Sequence, residues 1–148
     1  VFYIGGTKVG ALFGEAVVIM NPALKKDFRF MMKQRGGMLA KGRLLGIQFD
    51  TLFTDDLYFK IARNAIDMAF QIREIFVSNG YPLLFDSPTN QQYPIIPDEE
   101  LAILGKEFGY EYWTRVDETH SGVRFCGSWA TKQEHVDALR MAVHALKK

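Results

Sequence analysis

The run from Leu57 to Ser78 constrains the fold more than any other stretch of this chain. Thr54-Asp55-Asp56 offers capping residues before it, and Asn79-Gly80 a stop signal after it. Between them Leu57, Ile61, Ala65, Met68, Ile72 and Phe76 recur every three or four residues. That spacing lines one face of a long helix with apolar side chains, and such a face needs a core to lie on. The two flanks differ in texture. Glycine-rich strand-like and helical stretches come before the helix; short strands, prolines and turns follow it. The helix is therefore expected to link two differently built parts.

In the first part, residues 1–4 and 15–20 read as strands. The second run is continuously apolar, which predicts a strand buried in a layered α/β sheet. Asn21-Pro22 is a helix-start signal. One helix is expected over 22–34, ending at Gly36-Gly37, and another over 38–53. In the second part, residues 82–85 and 92–96 read as strands, with Pro94 favouring an edge. A helix over 97–108 and strands over 110–116 and 123–129 follow. Thr131-Lys132-Gln133-Glu134 has the form of a capping box. Val136, Leu139, Val143 and Leu146 then make an apolar stripe on a last helix.

Composition narrows the function classes. With 148 residues, 48% hydrophobic and 24% charged, the chain can bury one sizeable core. A net charge of +1, with no basic patch interleaved with aromatics, argues against nucleic acid. No run approaches the length of a membrane span. The single cysteine, Cys126, excludes an internal disulfide and suits a reducing compartment, so a cytoplasmic location is expected.

Lys8 is the first candidate for chemistry. Gly5, Gly6, Gly10 and Gly14 crowd it inside an otherwise apolar segment. A lysine held in an apolar setting can lose its proton near neutral pH, and a neutral amine can form a Schiff base with an aldehyde. From spacing alone, a simple turn lysine is the competing reading.

The longer string, Gly5-Gly6-Thr7-Lys8-Val9-Gly10-Ala11-Leu12-Phe13-Gly14-Glu15-Ala16-Val17-Val18, resembles the lysine segment of the threonine aldolase and β-eliminating lyase family. Those are fold-type I enzymes that use pyridoxal phosphate (PLP). The resemblance continues through residues 33–43 and 123–131. It implies an α/β fold made of the C-terminal part of such an enzyme. Residues 1–55 would be the end of the PLP-binding large domain with its lysine loop, 56–80 a linking helix, and 81–148 a small C-terminal α+β domain. The chain is accordingly expected to be a C-terminal piece of a longer protein, with a complete small domain as the alternative. The family's phosphate loop, PLP-stacking ring and pyridine-pairing Asp are not located in this sequence.

The same resemblance assigns roles. Lys8 would carry PLP as a Schiff base, with Thr7 beside it. Arg124, in a strand with Val123, Phe125 and Cys126, would bind the substrate carboxylate; from the residues alone, a salt bridge or a water-facing edge position stays open. Lys33, Arg35, Lys41 and Arg43 surround Gly36-Gly37; from the residues alone, the amides of a glycine turn with a lysine could hold a phosphate, or the charges could simply face water, and the resemblance implies that Arg35 and Lys41 reach the PLP phosphate. The expected activity is cleavage of β-hydroxy-α-amino acids, L-threonine to glycine plus acetaldehyde. The alternatives are a β-eliminating amino-acid lyase and a non-catalytic structural or dimerisation domain. Expected partners are an amino-acid substrate, the N-terminal remainder of the enzyme, and a second copy in a homodimer or homotetramer. No metal is expected: His135 and His144 lie nine residues apart on different helix faces. His120 is read as a turn residue, Cys126, Trp113 and Trp129 as core residues, and Glu15 as either an orienting or a structural group for the lysine loop.

Overall fold

The computed structural model describes residues 1–147. The chain divides into two compact units, Val1–Ile61 and Ala62–Lys148, and each is built differently.

In the first unit, β1 (Phe2–Gly5) and β2 (Glu15–Val18) form an antiparallel ribbon, with Phe2 opposite Val18 and Gly5 opposite Glu15. β2 is not buried in a layered sheet, contrary to expectation. Only β1 pairs with it among the described residues, and its side chains alternate between exposed and half-buried. Asn21 does cap a helical turn: its Oδ1 accepts from the Ala23 N–H at 3.0 Å. The turn, Pro22–Leu24, is a single 3-10 turn, because Asp27 adopts a left-handed φ of 56° and interrupts the ladder before α1 (Phe28–Gln34). α2 (Arg43–Phe53) begins later than expected, after a turn closed by the Leu44 N–H donating to the Lys41 carbonyl at 3.0 Å. Thr54–Asp56 is a kinked 3-10 turn with Asp55 and Asp56 at φ 50° and 59°, and the Thr54 hydroxyl donates back to the Asp50 carbonyl at 2.8 Å instead of capping the helix that follows. α3 (Leu57–Ser78) then runs as expected. Val9 and Leu52 are the apolar side chains this unit buries, while Phe2, Leu12, Met20, Phe30 and Phe59 stay exposed.

The second unit holds the core. β6 (His120–Cys126) is its central strand. β3 (Gln91–Gln92) and β4 (Ile95–Pro97) lie along one edge of it, pairing Gln92 with Phe125 and Ile95 with Gly122. The two pairs share one register, so Tyr93 falls opposite Arg124. The ladder breaks there because Pro94 has no N–H to give; its carbonyl still accepts from the Val123 N–H at 3.1 Å. β5 (Glu111–Arg115) lies along the other edge, with Glu111 opposite Arg124 and a bulge at Trp113. The expected strand at 82–85 reduces to one bridge, Leu83 to Pro94.

The inner face of β6, Val123 and Phe125, packs with Ile72, Ile75 and Phe76 of α3. Leu101 and Leu104 of α4 (Asp98–Leu104), and Val136, Leu139 and Val143 of α5 (Gln133–Ala145), complete the cluster. Within the expected α3 stripe, Ala65, Ile72 and Phe76 are buried and Leu57 is exposed. α3 ends where Asn79-Gly80 stops it: Gly80 takes φ 82° and the Tyr81 N–H returns to the Phe76 carbonyl at 3.0 Å. The capping box shifts by one residue. The Lys132 N–H donates to His135 Nδ1 at 3.3 Å, while Thr131 Oγ1 accepts from the Ser128 N–H at 2.9 Å. Among the described residues no helix is long and apolar enough to cross a membrane.

Gly127, just after β6, lies hard against α3. A Cβ there would sit 2.4 Å from the Ala65 carbonyl oxygen and 3.0 Å from the Ala69 nitrogen, both backbone atoms. Gly127→Ala is expected to cost about 1–3 kcal/mol, read as a lower denaturation midpoint. An unchanged midpoint would mean that strand and helix part freely.

The β5–β6 turn carries a pH-dependent contribution. Asp117 Oδ1 accepts from the Thr119 and His120 N–H groups, each at 2.8 Å, and faces His120 Nδ1 at 3.0 Å. The Thr119 amide first, and His120 next, hold this carboxyl down at about 2. Its folded pKa lies below the ordinary 3.8, so the contribution is present above that pH and is lost as pH falls towards about 2. Asp117→Asn is therefore expected to flatten part of the acid limb of the stability–pH curve and to leave the neutral-to-alkaline limb parallel to the parent's.

Candidate active site

Lys8 lies in the first unit, on the 3-10 turn Thr7–Val9 between β1 and β2. Two backbone hydrogen bonds close the turn, from the Val9 and Ala11 N–H groups to the Gly6 carbonyl at 3.1 and 3.0 Å. Val9 is buried and anchors it. Gly6 is required: a Cβ there would meet the Ala11 Cβ at 2.8 Å and Phe49 Cζ at 3.0 Å. Gly10, at φ 103°, closes the turn in a conformation that favours glycine. Around it, the Leu12 N–H donates to Gln48 Oε1 at 2.6 Å, and the Tyr58 hydroxyl to the Gly5 carbonyl at 3.0 Å.

Thr7 and Lys8 are both exposed. The apolar sequence around Lys8 does not bury it, because a two-stranded ribbon has too little structure on either face to cover an amine. Glu15 sits opposite Gly5 at the far end of the loop.

The basic segment is exposed at Lys33, Arg35, Lys41 and Arg43. The glycine turn between them does not offer the amides expected of it. Gly36 takes φ 73°, and the Gly36 and Gly37 N–H groups already donate to Lys33 and Met32 carbonyls at 3.1 and 2.8 Å. They terminate α1 in the usual way of a glycine C-cap. Anion binding here would fall to the side chains of Arg35 and Lys41.

Arg124 lies in the second unit, in the middle of a sheet rather than on a water-facing edge. Period-two alternation turns it, with Cys126, away from the core that Val123 and Phe125 enter. Its guanidinium is held from three sides. Glu111 pairs with Nη2, Gln91 Oε1 accepts from Nη1 at 3.3 Å, and the Trp113 ring lies 5.7 Å from Cζ. Gln91 Oε1 also accepts from the Tyr93 hydroxyl at 2.6 Å. Nε is buried and has no acceptor among the described residues. Burial favours loss of the proton. The charge interactions with Cys126 and Glu111, with hydrogen bonds to Tyr93 and Glu111, outweigh it and raise the pKa. The group stays a cation.

Four readings of single residues change. Trp113 and Trp129 are about half exposed, at 49% and 51%, not core residues. Trp113 is two residues from Glu111 on the same edge strand and so shares the Arg124 face, where its ring meets the Tyr93 ring at 5.0 Å. Cys126 is exposed, because β6 starts at His120 and its alternation sends Cys126 outward. His120 opens β6 instead of sitting in the turn. Gln91, Tyr93, Glu111 and Trp113 are the residues that the sequence reading missed as partners of Arg124. Their signal was available only as cross-strand register. Among the described residues no His, Cys, Asp and Glu cluster could hold a metal.

No family model matches the chain. Two curated relatives do. A low specificity L-threonine aldolase of Pseudomonas aeruginosa is 30% identical over 140 residues, covering 94% of this chain and 40% of that protein. A low specificity L-threonine aldolase of a Pseudomonas species is 29% identical over 148 residues, covering 99% and 42%. The solved structure of Leishmania major threonine aldolase superposes with a TM-score of 0.95 at 36% identity, over 99% of this chain and 43% of that one. The chain thus spans about two-fifths of the length of the proteins it matches. In sequence and in fold it is a relative of the threonine aldolases, consistent with the C-terminal portion of such an enzyme.

Proposed function

We propose that this chain is part of a PLP-dependent lyase that cleaves β-hydroxy-α-amino acids, most simply L-threonine to glycine plus acetaldehyde. The observation that carries the reading is the exposed Lys8 amine, presented on a glycine-built turn that tolerates no side chain at Gly6. The similarity to threonine aldolases supports it over β-elimination and over a non-catalytic domain.

The residues present fit an aldehyde cofactor held through a lysine. The turn fixes the Lys8 backbone by its own hydrogen bonds and by the buried Val9, so the amine can be engaged without unfolding the loop. Thr7 adds a hydroxyl beside it. Arg35 and Lys41 offer exposed cations for a phosphate. When bound, PLP supplies an electron sink for the pair released at Cα. Arg124 would grip the substrate carboxylate: its planar fork matches that group, and its charge is maintained. Holding the carboxylate fixes which Cα bond is presented for cleavage, and this is orientation supplied by the protein.

In this reading residues 1–55 end the cofactor domain, 56–80 link, and 81–148 form the small terminal domain. The apolar side chains left exposed in the first unit, such as Phe2, Leu12 and Phe30, support its being covered in the whole enzyme by the N-terminal remainder and by a second copy in a homodimer or homotetramer.

The test is made on the intact protein. An absorbance band near the visible edge with PLP, fixed by borohydride onto the Lys8 peptide, supports the cofactor role. Glycine and acetaldehyde from threonine separate aldol cleavage from β-elimination, which would instead release ammonia and a keto acid. A protein that gives neither band nor label is not this enzyme.

A further inference from the structure

We infer that Glu111 is an internal stand-in for the substrate carboxylate: it occupies Arg124 until a ligand carboxylate displaces it. This rests on the reading of Arg124 as the carboxylate anchor. The register places Glu111 and Arg124 directly opposite each other on neighbouring strands, the position from which cross-strand side chains meet. The two partners are unequally fixed. The Arg124 side chain is 23% exposed, and the Glu111 side chain 67%.

The remaining contacts of Arg124 are built in. Gln91 is held by the Tyr93 hydroxyl at 2.6 Å, Tyr93 packs edge-on against Trp113, and Trp113 lies against the guanidinium. If Glu111 swings away, Gln91, Tyr93 and Trp113 still position the fork. Glu111 engages a single nitrogen, Nη2. A free carboxylate can approach the same fork with both oxygens, which is the stronger arrangement. Once released, the Glu111 carboxylate remains in water, so its displacement leaves no buried charge behind. An exposed ion pair of this kind is weak, so the exchange is easy but not free.

Glu111 therefore lowers the apparent affinity for carboxylates by the fraction of time it holds Arg124. Freeing the anchor is expected to tighten carboxylate binding about threefold, the ratio expected for a site open roughly one-third of the time. Acetate is the probe, because it has no amine to react with a cofactor. In the intact protein, the rate of phenylglyoxal labelling at Arg124, read by peptide mass, is followed against acetate concentration. Protection of Arg124 in Glu111→Gln at about one-third of the acetate needed by the parent is the expected result. Protection at the same or a higher acetate concentration overturns the stand-in role while leaving Arg124 as the anchor. No protection in either protein removes the anchor reading itself, and the stand-in with it.

Discussion

If Lys8 holds the cofactor as proposed, Lys8→Ala is expected to abolish borohydride-fixed label and to lower threonine cleavage by at least about a thousandfold, because the variant has no substitute for that covalent attachment. The fold should survive the change. Lys8 is exposed, and its turn is held by backbone hydrogen bonds to the Gly6 carbonyl and by the buried Val9, none of which uses the lysine side chain. Loss of activity with an unchanged denaturation midpoint therefore separates a chemical role from a structural one. Label that moves to another lysine, or activity that persists, removes Lys8 from the mechanism.

Gly6→Ala is the complementary control on the turn itself. A side chain there would meet Ala11 and Phe49, so it disturbs the same loop through packing and leaves the amine in place.

The elements of this chain were legible in sequence where local signals agreed with one another. α3 carried a periodic face and an Asn-Gly stop, and both appear in the structure. The Val136, Leu139 and Val143 stripe likewise enters the core. Burial in the first unit was not legible. An apolar run such as residues 15–20 looks the same whether other strands flank it or not, and among the described residues β1 alone pairs with it. The helix expected over 22–34 failed at Asp27, whose left-handed backbone no periodicity argument anticipates.

Around Arg124 the limit was register. Trp113 reads as a core residue until Glu111 is known to pair with Arg124, because alternation from Glu111 then puts it on the Arg124 face. Gln91 lies far from Arg124 in sequence and becomes its neighbour only through the pairing of β3 with β6. The arginine was identifiable; the cradle around it was not.

That cradle makes Arg124→Lys a discriminating variant. Lysine keeps the positive charge opposite Glu111, so a purely structural salt bridge would be largely retained. It loses the planar fork, and with it the bidentate grip on a carboxylate. Charge-assisted hydrogen bonds contribute about 1.5–3 kcal/mol each, so losing the fork is expected to lower kcat/KM for threonine by about a hundredfold. Arg124→Ala should lower it further without leaving a buried charge, because the Glu111 side chain is exposed. The loss should appear mainly in KM if the grip serves binding alone, and in kcat as well if it also orients the bond to be cleaved. A lysine variant with parental kcat/KM would show that the fork has no carboxylate to hold. Arg124 would then be what the hydrogen bonds alone describe: a strand-locking cation shared by Gln91 and Glu111.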